Sequence, residues 1–179
     1  MKVQKELAKV LYKQGRNKEA TIHLEKVITE ALGCGYQRER TECLSSLSCV
    51  CESMGDFAEA LKIAKQALAV SQEGSYRMSE GIILGKLALI YYEEGRIAAA
   101  QKLLEQALTI AREVGDRIGE THVLANLALL LHDQDRLEES GLLYEQARER
   151  VEHRVRKEQR SASIQIKTTL IIHFPFWFS

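Results

Sequence analysis

The chain repeats itself every 40 residues, and this period limits its possible folds more than any other feature. Gly15, Gly55 and Gly95 lie 40 residues apart, and Asp135 takes the fourth place. No insertion is needed in any copy. Self-similarity at such a period is typical of a stack of small structural repeats. A leucine also recurs at this spacing in all four copies: Leu7, Leu47, Leu87 and Leu127.

Each repeat predicts two helices joined by a short turn. Positions within a repeat are numbered here as slots 1 to 40. Slots 4, 7, 8 and 11 are mostly apolar or small, and so are slots 20, 24, 27 and 28, which gives one stripe to each of two helices. The glycine at slot 15 ends the first helix because it adopts positive φ without strain. Thr41 and Thr121 are predicted as helix N-caps. The four repeats are 1–40, 41–80, 81–120 and 121–160.

The pattern L-[small]-x₂-[large]-x₃-G-x-[apolar]-x₂-A-x₃-[large]-x₂-A resembles the tetratricopeptide repeat (TPR). The usual TPR period is about 34 residues, and a proline often ends its second helix. Here the period is 40 and the only proline is Pro175, outside the repeats. The repeats are therefore most similar to the long TPRs of kinesin light chains and of G-protein-signalling modulators. The resemblance implies an all-α, right-handed superhelical solenoid of four helix-turn-helix repeats over residues 1–160.

By the same resemblance, one face of every first helix lines a concave groove that binds a partner. That face comprises slots 2, 5, 6, 9, 12 and 13. It is basic in the first repeat and apolar in the third, which suits an extended or helical peptide with an acidic end. The alternative is a solvated helix face with the true site elsewhere. The residues predicted to contact a partner are Lys5, Lys9, Tyr12, Glu52, Lys86, Leu89, Tyr92, Asn126, Leu129 and His132.

Composition argues against several other functions. The 25 basic residues balance 25 acidic ones, so no global field attracts nucleic acid. The five histidines form no H-E-x-x-H motif, and no catalytic triad, metal site or cofactor is predicted. The N-terminus has no signal-peptide core, so a cytoplasmic protein is expected, without a transmembrane segment. The cysteines match no zinc template and are predicted to be free thiols: Cys34, Cys43, Cys49 and Cys51.

Tail 161–179 departs from the repeat and holds the only tryptophan and three of the four phenylalanines. Three interpretations stay open: a lid on the last repeat, an alternative C-terminus, or a hook for a membrane or partner. The function we expect is a non-catalytic scaffold that binds a protein or peptide. Two alternatives are a regulatory or sensing segment of a larger protein or enzyme, and a module that self-associates through the tail or the open repeat ends.

Overall fold

A computed structural model shows a stack of antiparallel helices and describes residues 1–153 and Arg156. No strand occurs among these residues, and the predicted all-α solenoid of helix-turn-helix repeats is confirmed. Tail 161–179 lies outside the described residues. The helices are α1 (Lys2–Lys13), α2 (Asn17–Cys34), α3 (Gln37–Ser53), α4 (Phe57–Glu73), α5 (Arg77–Glu93), α6 (Ile97–Glu113), α7 (Arg117–Asp133) and α8 (residues 137–153).

A helix begins every 20 residues from residue 17 onward, so each 40-residue repeat contains two similar turns. Two residues before each start, the backbone takes positive φ. The predicted slot-15 glycines do so, with φ of 73° at both Gly15 and Gly95. Gly35 has the same φ of 73° at slot 35, so a second turn of the same kind joins one repeat to the next. Ser75 and Asp135 adopt the same conformation without being glycines.

The prediction that Thr41 and Thr121 cap helices is wrong. The turn at slot 35 lets the next helix start at slot 37, so both threonines lie inside a helix. Each hydroxyl donates to the carbonyl one turn earlier, Thr41 to Gln37 and Thr121 to Arg117, both at 2.8 Å. The N-cap of α7 is Asp116, whose carboxylate accepts from the Gly119 amide at 2.9 Å.

Small residues at slots 8 and 20 let the two helices of a repeat approach closely. In the third repeat both are buried alanines, Ala88 and Ala100. Where a serine replaces one alanine, its hydroxyl donates across the contact: Ser48 to the Ala60 carbonyl at 2.9 Å, and Ser140 to the Ala128 carbonyl at 2.7 Å. These buried hydrogen bonds satisfy the hydroxyls, so serine substitutes for alanine without leaving an unpaired polar group.

Packing runs from each helix to the next along the stack. The second helix of one repeat covers the first helix of the following repeat, so α2 packs on α3, α4 on α5 and α6 on α7. First helices also contact each other, α3 with α5 and α5 with α7. They therefore form a continuous face. Across the described residues, no helix has the length and hydropathy needed to cross a membrane.

Candidate functional site

The face formed by the first helices is tied together by contacts between neighbouring repeats. The Lys5 ammonium of α1 lies 2.5 Å from a Glu42 carboxylate oxygen of α3. The Lys86 ammonium of α5 donates to the Ser45 carbonyl at 3.0 Å and the Ser45 hydroxyl at 2.8 Å. All these residues belong to the slots that the sequence analysis assigned to the concave face, and the structure brings them into contact across adjacent helices.

Between α5 and α7 this face opens into a groove of about 380 Å³, here named the α5/α7 groove. Its walls include three residues predicted to contact a partner: Lys86, Leu89 and Asn126. Ile82 and His122, also on the predicted face, line it as well. The helix α6 supplies the floor. The groove is therefore an apolar channel with a few polar groups along its walls, as is usual for binding sites.

Two glycines shape the α5 wall of this groove. A Cβ added at Gly81 would lie 2.9 Å from Cγ2 of Ile110, so only glycine lets α5 approach α6 this closely. A Cβ added at Gly85 would meet nothing within 4 Å. The missing side chain at Gly85 is thus not required by packing within the chain, and its absence leaves open space at the groove wall.

Lys86 and Asn126 give the groove its polar character. They occupy the same slot of the third and fourth repeats, and both are half-buried. Lys86 contacts only the neutral oxygens of Ser45, with no ion pair to a carboxylate of the described chain. The Asn126 amide makes no hydrogen bond to any other described residue, although it can both donate and accept. The pair can therefore bind a carboxylate and a peptide backbone.

The predicted basic end of the face is different, because two of its four lysines pair with carboxylates of the chain itself. Lys5 contacts Glu42, and this hydrogen bond raises the pKa of Lys5. Lys9 lies 2.9 Å from Glu6, one turn away on the same helix, and this contact lowers the pKa of Glu6. These pairs compensate the charge of two of the four lysines of α1.

The other predicted contact residues lie outside the α5/α7 groove. Burial raises the pKa values of Tyr12 and Glu52, and the nearby Lys86 partly offsets the rise for Glu52. The Tyr92 hydroxyl donates to Asp133, which raises the pKa of Tyr92 and lowers that of Asp133. Nδ1 of His132 lies 3.3 Å from Asp133 as well, and Leu129 is exposed.

Most of the groove floor was not predicted from the sequence. The floor comprises slots 27, 30, 31 and 34, on α6 and at its C-cap, and only slot 27 belongs to the predicted stripe of slots 20, 24, 27 and 28. A signal was present, because these positions have the i, i+3, i+4, i+7 spacing of a second apolar stripe on α6. The floor residues are Ala107, Ile110, Ala111 and Val114.

All four cysteines are free thiols, as predicted, and they differ in exposure. Cys34 is exposed and Cys43 is buried, and burial raises the pKa of Cys43 to about 11. In the described part of the chain, no group of three or more histidine, cysteine or acidic side chains could hold a metal ion.

Comparison with known protein families identifies the repeat. The family model described as "Tetratricopeptide repeat" matches residues 1–73 and 79–153, most of the chain. The chain belongs to the tetratricopeptide repeat family. A comparison with curated protein sequences found no match.

Solved structures agree on the fold. One solved structure is named for the nearly identical TPR-like repeats of a kinesin light chain of Podosopora anserina. Its sequence is 22% identical to this chain, its TM-score is 0.68, and the match covers 82% of this chain and 72% of that one. BtubC (BKLC) from P. vanneervenii is 15% identical, with a TM-score of 0.71 over 99% of this chain and 66% of that one. The Rap conjugation gene regulator of plasmid pLS20, in complex with the Phr* peptide, is 16% identical, with a TM-score of 0.77 over 93% of this chain and 46% of that one.

Proposed function

We propose that this TPR protein is a non-catalytic, cytoplasmic scaffold that binds a segment of a partner protein in the α5/α7 groove. The proposal rests on the groove itself, whose apolar floor lies beside two polar groups. Within the described chain, the Lys86 ammonium makes no ion pair with a carboxylate, and the Asn126 amide makes no hydrogen bond. Half-buried polar groups of this kind can bind a ligand without breaking an ion pair within the protein.

The groove favours one kind of partner chemistry. The volume of about 380 Å³ is at the lower end for ligand pockets, and its floor is apolar, so a large aliphatic or aromatic side chain fits beside Gly85. A carboxylate next in the segment reaches Lys86, and its backbone reaches Asn126. The acidic group that the sequence analysis assigned to Lys5 and Lys9 therefore contacts Lys86 in this proposal, because of these three lysines only Lys86 makes no ion pair with a carboxylate of the described chain.

Peptide binding by a related fold supports this proposal. The pLS20 Rap regulator was solved in complex with the Phr* peptide and has the same fold over most of this chain. TPR modules in general bind partner segments on a preformed helical surface, so little ordering of the protein is needed on binding.

The substitution Gly85→Leu tests the proposal by filling the groove. Nothing lies within 4 Å of the added Cβ, and leucine is a better helix former than glycine by about 0.5–1 kcal/mol, so the variant should be at least as stable as the wild type. Linear peptides selected from a random displayed library against the wild-type protein are then titrated against the variant. We expect Kd to rise at least about tenfold, since the space for the apolar side chain is lost.

Gly141→Leu is the matched control, because Gly141 is also a helical glycine with nothing within 4 Å of an added Cβ, but on α8 and outside the groove. It should leave Kd unchanged. Peptides that bind both variants as tightly as the wild type would place the binding site elsewhere on the molecule.

A further inference from the structure

Inside the stack, one kind of interface joins each repeat to the next. One side of this interface is exposed at each end of the stack. Slots 3, 7 and 10 form one stripe on every first helix, and in α1 this stripe is exposed: Val3 by 80%, Leu7 by 42% and Val10 by 49%. In α3, α5 and α7 every residue at these slots is at most 7% exposed. Those buried residues are Cys43, Leu47, Val50, Ile83, Leu87, Ile90, Val123, Leu127 and Leu130.

The difference identifies what covers the stripe. The second helix of the same repeat packs on α1 as α4 does on α3 and α6 on α5, yet the α1 stripe stays exposed. The cover in later repeats therefore comes from the second helix of the preceding repeat, α2, α4 or α6. Residues of those helices share a core with the stripes, such as Val70 with Ile90 and Ile110 with Leu130.

The helix α8 presents the opposite half of the same interface. Slots 24 and 31 of the second helices are at most 6% exposed in the first three repeats, but Tyr144 is 44% and Val151 is 41% exposed on α8. The buried counterparts are Leu24, Ala31, Ala64, Ser71, Leu104 and Ala111.

The two exposed surfaces are the two unlike sides of one internal interface, which pairs the first helix of a repeat with the second helix of the repeat before it. An α1 stripe placed on another α1 stripe, or an α8 surface on another α8 surface, would not reproduce that contact. The arrangement that repeats the internal contact joins α8 of one copy to α1 of another.

We propose that a second copy of this chain docks head to tail, with α8 of one copy covering the α1 stripe of the next, as α2 covers α3 within the chain. The contact is heterologous, because each copy contributes a different surface. Such contacts extend into longer assemblies or close into rings. The association is separate from the α5/α7 groove, which lies on the face of α5 and α7.

Two double variants of the full chain test this arrangement by sedimentation over a range of concentrations. Val3→Glu with Val10→Glu disables the α1 surface, and Tyr144→Glu with Val151→Glu disables the α8 surface. The wild type should exceed its 20.3 kDa chain mass increasingly as concentration rises, and each variant alone should stay at that mass. An equimolar mixture should form dimers and nothing larger, because one intact α8 and one intact α1 remain. Dimer recovery also shows that both variants are folded.

Ile22→Glu and Leu142→Glu are the matched controls. Both lie at slot 22, which is exposed in all four repeats, so they should associate like the wild type. A wild type that stays monomeric up to its solubility limit would overturn the proposal. So would association of either double variant alone, which would indicate a symmetric contact or one made by the tail, and so would a mixture that stays monomeric.

Discussion

Two small side chains set the distance between the helices of each repeat. In the second repeat Ser48 faces Ala60, and in the fourth Ala128 faces Ser140, in each case with a hydrogen bond from the serine hydroxyl to the alanine carbonyl. A serine side chain is larger than that of alanine by only one oxygen atom, and here its hydroxyl is satisfied by donating to the facing backbone. Slots 8 and 20 therefore require a small side chain, and a polar one is tolerated where a backbone carbonyl lies opposite to accept its hydrogen bond.

The cysteines differ in burial, which predicts a difference in thiol reactivity. A disulfide reagent at pH 8 should modify Cys34 rapidly and leave Cys43 unmodified in the folded protein, because burial raises the pKa of the Cys43 thiol to about 11 and little reactive thiolate forms. The two sites are distinguished by mass spectrometry of the digested protein. Unfolding in denaturant is the control and should make both react. Fast modification of Cys43 in the folded protein would contradict its burial.

The same shift gives a pH dependence of stability. The thiol of the unfolded chain ionises near its ordinary pKa of about 9, whereas the folded-state thiol stays protonated until about 11. The unfolded state thus holds fewer protons between these values, and the free energy of unfolding should fall as pH rises from 9 to 11. Denaturant titrations of the wild type and Cys43→Ala across this range measure the contribution, which the variant should lack.

At the scale of the element, one positive-φ residue every 20 residues ends each helix and fixes the start of the next. Ser75 is the least favourable occupant of this position, since a serine side chain clashes with the backbone in the left-handed region. The substitution Ser75→Gly should therefore raise the free energy of unfolding by about 1 kcal/mol, measured by chemical denaturation. Gly95→Ser makes the reverse change at an equivalent turn and should lower it by a similar amount. An unchanged or lower stability of Ser75→Gly would show that this turn is not strained.

On the scale of the whole molecule, each helix contacts mainly its neighbours in the stack, so stability is close to a sum of local contributions. Ala60→Leu overfills the fully buried contact between α3 and α4 and should cost at least about 1–3 kcal/mol. Hydrogen exchange followed by mass spectrometry should show faster exchange in α3 and α4, with α7 little changed. Ala58→Leu, two residues away and exposed, is the control and should leave both regions unchanged. Uniformly faster exchange would indicate one cooperative unit.

Prediction from sequence succeeded where one helix decides the outcome and failed where two helices meet. The slot-15 turns and the stripes follow from the spacing of residues along one helix. The threonine caps were misplaced because the second turn, at slot 35, starts the next helix at slot 37, four residues before each threonine. Most of the groove floor was missed because its role depends on how α5 and α7 are placed beside α6.

The all-α repeat, its 40-residue period, the apolar faces and the family could all be predicted from the chain, since each depends on local spacing. Which lysines are paired and which side chains line a groove could be read only from the folded protein. Lys5 meets Glu42, 37 residues away, while Lys86 meets only neutral oxygens, and no local pattern distinguishes the two. The physical reason is that electrostatic pairing and groove formation depend on the rotation and separation of neighbouring helices, which packing sets and sequence spacing does not record.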